Sequence, residues 1–169
     1  MALEAVHRKL RRTICMDHRA AADGYLKWAN LILGAAEKYL GRSNDLRILD
    51  LGCGESYSVT LLLSAMGCRC TGIDVEPAWQ PSPLAALKHA ARSGPRSVVK
   101  RLVHEYVVVR RVNRSVARLA KLKMPTRLDV RCMSITETPF SDNEFDMIFS
   151  LAVMEHIMDM DAALAEMNV

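Results

Sequence analysis

Aromatic side chains are scarce in this chain: its 169 residues include two Trp, four Tyr and three Phe. A core must therefore be filled by Leu, Val, Ile, Ala and Met. Glycine and proline are also sparse, at eight and six, which excludes a collagen-like or low-complexity chain. The five cysteines, Cys15, Cys53, Cys68, Cys70 and Cys132, are odd in number, and no two of them have the two-residue spacing of a zinc or redox site. No metal site is expected, and free thiols in a reducing, cytoplasmic setting are. There is no apolar run long enough to span a bilayer and none placed as a secretory leader. Half the residues are hydrophobic and a quarter charged, the balance of a globular chain of about one domain.

Against these absences stands a clear change of period. The first forty residues read as helical, with apolar positions at Tyr25, Trp28, Ala29, Leu31, Ile32 and Leu33 and with Asp23 as the expected cap of the second of two helices. Gly41 and the polar residues after it predict a stop. Leu46 to Leu51 then reads as a strand, Gly52-Cys53-Gly54 as a turn, Ser58 to Ala65 as a helix ended by Gly67, and Arg69 to Asp74 as a second strand. This is a βαβ unit, so its two strands should be parallel. Leu84 to about Leu122 is expected to be helical, with a break near Gly94-Pro95 and a competing strand reading at Val107-Val108-Val109. Arg127 to Cys132 and Phe145 to Ser150 predict the third and fourth strands, and Asp159 to Met167 a last helix. The fold class expected is a doubly wound, Rossmann-like, mostly parallel α/β sheet of about four strands, in the order three-two-one-four.

The chemistry is concentrated at Asp50-Leu51-Gly52-Cys53-Gly54. Bare glycine backbone lets a ligand approach, and the following helix turns its free N–H groups toward it. A carboxylate at the strand end disfavours a pyrophosphate and favours a cationic or amino-bearing ligand. Asp74 ends the second strand about twenty residues on, where a carboxylate can accept the two hydroxyls of a ribose; a turn or capping aspartate is the competing reading. The dinucleotide fingerprint requires a third glycine where Tyr57 stands, which weakens a nicotinamide-dependent oxidoreductase.

With these residues in hand, Leu49-Asp50-Leu51-Gly52-Cys53-Gly54 resembles the first motif of class I S-adenosylmethionine-dependent methyltransferases, and Thr71-Gly72-Ile73-Asp74 their second. Thr138 to Ser150, and Val153-Met154-Glu155-His156-Ile157 after it, are similar to the ubiquinone/menaquinone-type (type 11) branch. The resemblance implies S-adenosyl-L-methionine as cofactor and a small-molecule or lipid-like acceptor. It implies that Asp50, Gly52, Cys53 and Gly54 hold the methionine portion, that Asp74 binds the ribose and that Val75 packs on the adenine. Ser134 and Ile135 fall beside the adenine amino group, with Ser134 replacing the family's acid, and Ser150 and Leu151 fall where cofactor and acceptor meet. His156 is the candidate general base, because histidine titrates near neutrality; a packing histidine competes. Glu155 and Tyr25 are the candidate acceptor-side residues, Tyr25 from an N-terminal helical lid over residues 1–44. Residues 45–169 form the cofactor domain. The resemblance further implies a domain cut short at Val169, leaving an open edge on the fourth strand through which copies could self-associate. A non-catalytic cofactor-binding or interaction fragment is the rival from another class.

One stretch stands outside this pattern. Between Arg92 and Arg127 there are eleven Lys or Arg and one acid, Glu105, within an apparent insert at about 84–126. A solvated basic helix face is the plain reading; contact with an anionic or membrane surface is the sharper one. The lack of interleaved aromatics disfavours nucleic acid.

Overall fold

The alternation of Arg47-Ile48-Leu49-Asp50-Leu51 becomes β1 (Arg47–Leu51) in a computed structural model that describes residues 18–54, 56–75, 94, 109–123, 128–151 and 153–167. β2 (Arg69–Asp74), β3 (Asp129–Cys132) and β4 (Met147–Ser150) complete a four-stranded sheet of order β3-β2-β1-β4, with every neighbouring pair parallel. This is the order and direction the sequence predicts, and the fold is Rossmann-like α/β. β1 is central and nearly all buried, as a strand flanked on both sides must be.

Helices cover the sheet on two faces. On one, α1 (His18–Leu40), α2 (Ser58–Ala65) and α3 (Arg110–Ala120) pack over Ile48 and Cys70; Leu46, Leu62, Leu63, Val112 and Val116 are fully or almost fully buried there. On the other, Leu49, Leu51 and Ile73 meet Ile135 and Ala163, the latter from α4 (Met160–Met167). Successive side chains of a strand point to opposite faces. Asp50, Gly72 and Asp74 therefore share the face that carries α2. Among the described residues no strand lies beyond β4.

Several sequence expectations shift. α1 runs unbroken through Asp23, which is not a cap; its carboxylate is exposed and pairs with Lys27 one turn on, at 2.7 Å. The first of the two expected N-terminal helices falls largely on residues 1–17, outside the described residues. Gly41 does end α1, with a φ of 68° and its N–H bonded to the Glu37 carbonyl. Val109 has helical φ and ψ, is buried at the start of α3 and does not extend a strand; Val107 and Val108, like most of the insert, lie outside the described residues. β4 starts two residues later than expected because Phe145 turns away to make an edge-to-face contact with Phe140, ring centroids 4.9 Å apart.

Asp146, just before β4, fastens that strand to β1. Its carboxylate accepts bonds from Arg47 N (2.8 Å) and Arg47 Nη2 (2.7 Å), and Arg42 Nη2 lies at 3.1 Å. Its own N–H donates to the Arg47 carbonyl at 2.8 Å. The Arg47 side chain and backbone, followed by the nearby charges of Arg47 and Arg42, hold the Asp146 carboxyl well below the ordinary range. A depressed carboxyl contributes stability that is present above its unfolded pKa of about 4 and is lost as pH falls through the folded value. Asp146→Asn should therefore lower the urea midpoint at pH 7, and the gap from wild type should narrow as pH drops below about 4. A gap that stays constant across that window would remove the charge from this account.

Candidate functional site

The chain leaves β1 through a turn built by β2. Gly52 N and Cys53 N both donate to the Ile73 carbonyl, at 2.8 and 3.1 Å, and Gly54 N donates to Asp74 Oδ2 at 2.9 Å. Three successive amides are thus aimed at the end of one neighbouring strand. The two glycines have positive φ, 76° and 66°, a region in which other residues are strained.

They are needed for different additional reasons. A Cβ on Gly52 would lie 2.6 Å from the Val153 side chain, whereas one on Gly54 would meet nothing within 4 Å. The bare Cα of Gly52 thus accommodates Val153, and the open approach to the backbone is at Gly54. Gly72 is tight as well: a Cβ there would be 3.0 Å from Cys53 Sγ and 3.2 Å from Thr60 Oγ1.

Beneath the turn, Asp50 is 3% exposed and accepts a 2.6 Å hydrogen bond from Thr60 Oγ1 of α2. Burial pushes its carboxyl up to about 6, the Thr60 bond opposes this, and the charge of Asp74 adds to it. That coupling places the two acids within electrostatic reach on one side of the sheet. Burial, with the charges of Asp50 and Asp74, also pushes the Cys53 thiol up to about 12. Cys53 is therefore a packing residue of the turn and no nucleophile at neutral pH.

The other predicted residues divide. Tyr25 Oη reaches Ser56 Oγ at 3.4 Å, which brings α1 to the turn. Val75, directly after Asp74, is 68% exposed and offers an apolar shelf beside it. Ser150 Oγ donates to the Leu51 carbonyl at 3.0 Å, at the mouth of the sheet, while Leu151 packs against the helical core. Ser134 is exposed and shares a 2.7 Å hydrogen bond with Thr136. Ile135 turns the other way, into the core beneath the second face. Glu155 and His156 stand exposed on a 3₁₀ turn (Met154–His156), 4.0 Å apart, and His156 N donates to the carbonyl of Val153, the residue seated on Gly52.

Three contributors escape the sequence reading. Thr60 could have been found: it is a hydroxyl inside the apolar run Val59 to Leu63, and a buried hydroxyl needs a partner. Val153 gives no such sign. Asn113 lies in the basic insert, yet its Oδ1 accepts from Ser58 Oγ at 2.9 Å and its Nδ2 donates to the Ser56 carbonyl at 3.5 Å, which ties α3 to the turn. A separate cavity of about 530 Å³ lies on the opposite face of the sheet, lined by Leu49, Leu51, Ile135, Phe140, Ile148 and Met167 among others. It holds neither Asp50 nor Asp74, and it lacks the convergent amides and acids of the turn.

Residues 90–168 match the family model of a methyltransferase domain. The matched stretch carries β3, β4 and α4, while β1, β2 and the glycine turn precede it. No curated protein matches the chain.

Two outcomes follow from the geometry. Gly52 and Gly54 have similar φ, so the two Ala substitutions share the same backbone strain. Gly52→Ala should cost about 1–3 kcal/mol more than Gly54→Ala because it alone overpacks against Val153, and Val153→Gly should recover most of that difference in urea unfolding. Equal losses would mean that Val153 does not constrain Gly52. The raised Asp50 carboxyl acts in the sense opposite to Asp146. The folded state binds its proton more tightly than the unfolded state, so stability is fullest below about pH 4 and declines as pH rises through about 6. Asp50→Asn should therefore stabilise the protein at pH 8, by up to about 3 kcal/mol, and change little at pH 4. Destabilisation that is greater at pH 8 than at pH 4 would reverse the assignment.

Proposed function

We propose that the chain is an S-adenosyl-L-methionine-dependent methyltransferase acting on a small or lipid-like acceptor, with its cofactor at the turn after β1. The observation that carries this reading is the Asp74 carboxylate held on the Gly54 amide, with a second, buried carboxylate at Asp50 below it. The methyltransferase-domain match over residues 90–168 supports the same reading from the other half of the chain.

The residues present suit such a ligand. Two acids at the tips of adjacent strands repel a pyrophosphate and attract an ammonium or sulfonium group. Asp74, with Val75 next to it, offers a hydroxyl acceptor beside an apolar platform, the pair of contacts a nucleoside needs. Gly54 leaves the backbone open to close approach. When bound, the cofactor supplies an electrophilic methyl group on sulfur. The protein's task is then to align the acceptor in line with that carbon and to exclude water. Ser150 and the turn that follows Val153 border the place where the acceptor would enter. His156 is the residue there able to take a proton from an oxygen acceptor.

The exposure of His156, with no acid other than Glu155 at hand among the described residues, favours a second reading in which the chain binds cofactor without base-assisted turnover. Calorimetry with S-adenosylhomocysteine tests the shared premise. Saturable one-site binding is expected for wild type, with Asp74→Ala weaker by roughly 10-fold or more and circular dichroism unchanged. Affinity should also fall as pH drops below about 6, as Asp50 takes up its proton and loses its attraction for the ammonium group. No detectable heat with wild type at about 1 mM ligand, where even weak specific binding registers, would refute the cofactor assignment. Binding without methyl release from S-adenosylmethionine across a panel of acceptors would favour the second reading.

A further inference from the structure

α3 is amphipathic in an unusual way. Its inward side, Val112 and Val116 with Leu119 and Ala120, is docked on the helical core. Its outward side carries Arg111, Arg114 and Arg118, with Lys121 and Lys123 just past its end, all exposed. None of these five cations has an ion-pair partner among the described residues. Cations spaced three and four apart lie on one face of a helix, so Arg111, Arg114, Arg118 and Lys121 form a single stripe about 15 Å long at 1.5 Å per residue. Like charges so close repel one another, and nothing in the local fold offsets that repulsion. An anionic partner would.

α1 lies against α3 in the same helical layer. It exposes Trp28, Leu31 and Tyr39, at 47, 60 and 74%. At 100° per residue these three fall within an arc of about 80°, a contiguous apolar strip and not a scatter of single side chains. We infer that the cationic face of α3 and the apolar strip of α1 together form a docking surface for an anionic lipid membrane. Trp and Tyr rings settle at the headgroup level of a bilayer, Leu31 between them suits the acyl boundary, and the arginines suit anionic headgroups. A nucleic acid would use the cations and could stack on the rings, but it has no use for an aliphatic side chain placed between them. The apolar side of α3 is committed to the core, so the contact is peripheral: the helix lies on the membrane and does not enter it.

The placement has a consequence for the site. Asn113 in the first turn of α3 bonds Ser56 and Ser58, so the stripe begins beside the glycine turn. Docking would bring the mouth of the site to the headgroup layer, where the acceptor would be a membrane-dissolved amphiphile. This last step rests on the methyltransferase reading; the docking itself does not.

Vesicle sedimentation with the full chain separates the two. Extruded phosphatidylcholine vesicles are compared with vesicles containing about 30% phosphatidylserine, at about 50 mM and about 500 mM salt. The chain should sediment with the anionic vesicles at low salt, be released at high salt and ignore the neutral ones. The triple substitution Arg111→Gln, Arg114→Gln, Arg118→Gln should weaken that binding roughly 100-fold, about five-fold per cation, without altering S-adenosylhomocysteine calorimetry. Trp28→Ser with Leu31→Ser should weaken it too while leaving its salt dependence in place. Absence of binding to anionic vesicles, equal binding to neutral ones, an undiminished triple variant, or tighter binding to a single-stranded oligonucleotide than to vesicles would each overturn the proposal. Failure of cofactor calorimetry with vesicle binding intact would overturn only the proposed activity.

Discussion

The hydrogen bond from Gly54 N to Asp74 Oδ2 connects the two halves of the βαβ unit at the point where ligands of open α/β sheets are held. It forms because β1 and β2 are parallel neighbours in a register that places Leu51 beside Ile73. That register leaves the Ile73 carbonyl to receive Gly52 and Cys53, and leaves the Asp74 side chain to receive Gly54. The shape of the turn and the position of the carboxylate are thus set by one strand pairing. The turn is held from above by Val153 on Gly52, from below by Thr60 on Asp50, and from the side by Asn113 on Ser56 and Ser58. Elements from four parts of the chain converge on five residues.

The same convergence concentrates negative charge. Asp50 is buried in an apolar layer with one hydroxyl partner and another acid nearby, an arrangement that costs stability whenever it is ionised. Structural carboxylates in this molecule look different: Asp146 is surrounded by guanidinium and amide donors, and Asp129 is held low by Arg131 and Thr71. An acid that destabilises the folded chain at neutral pH, in a cleft, is a mark of a binding site. A cationic ligand would offset the cost that the fold itself leaves standing.

How much of this was legible beforehand depended on the range of the interaction. The strands, their order, the turn and the helix after it follow from local signals: two-residue alternation, glycine at positive φ, and an apolar run of helical length. Asp50 and Asp74 were legible because the βαβ unit fixes where strand ends fall. Asp23 was misread because a capping aspartate and one making an exposed pair four residues along a helix look alike in sequence. Val153 on Gly52 and Asn113 on Ser58 join residues 101 and 55 positions apart, and no local pattern specifies such contacts. The basic face of α3 was readable as charge, but its lack of partners among the described residues and its attachment to the turn are tertiary facts.

Amide chemical-shift mapping with S-adenosylhomocysteine tests the central claim most directly. The account predicts that the largest perturbations fall on Gly52, Cys53, Gly54, Asp74 and Val75, with Thr60 and Asn113 following through their bonds to the turn. Perturbations confined to the cavity around Leu49, Phe140 and Ile148, or no perturbation at saturating ligand, would contradict it.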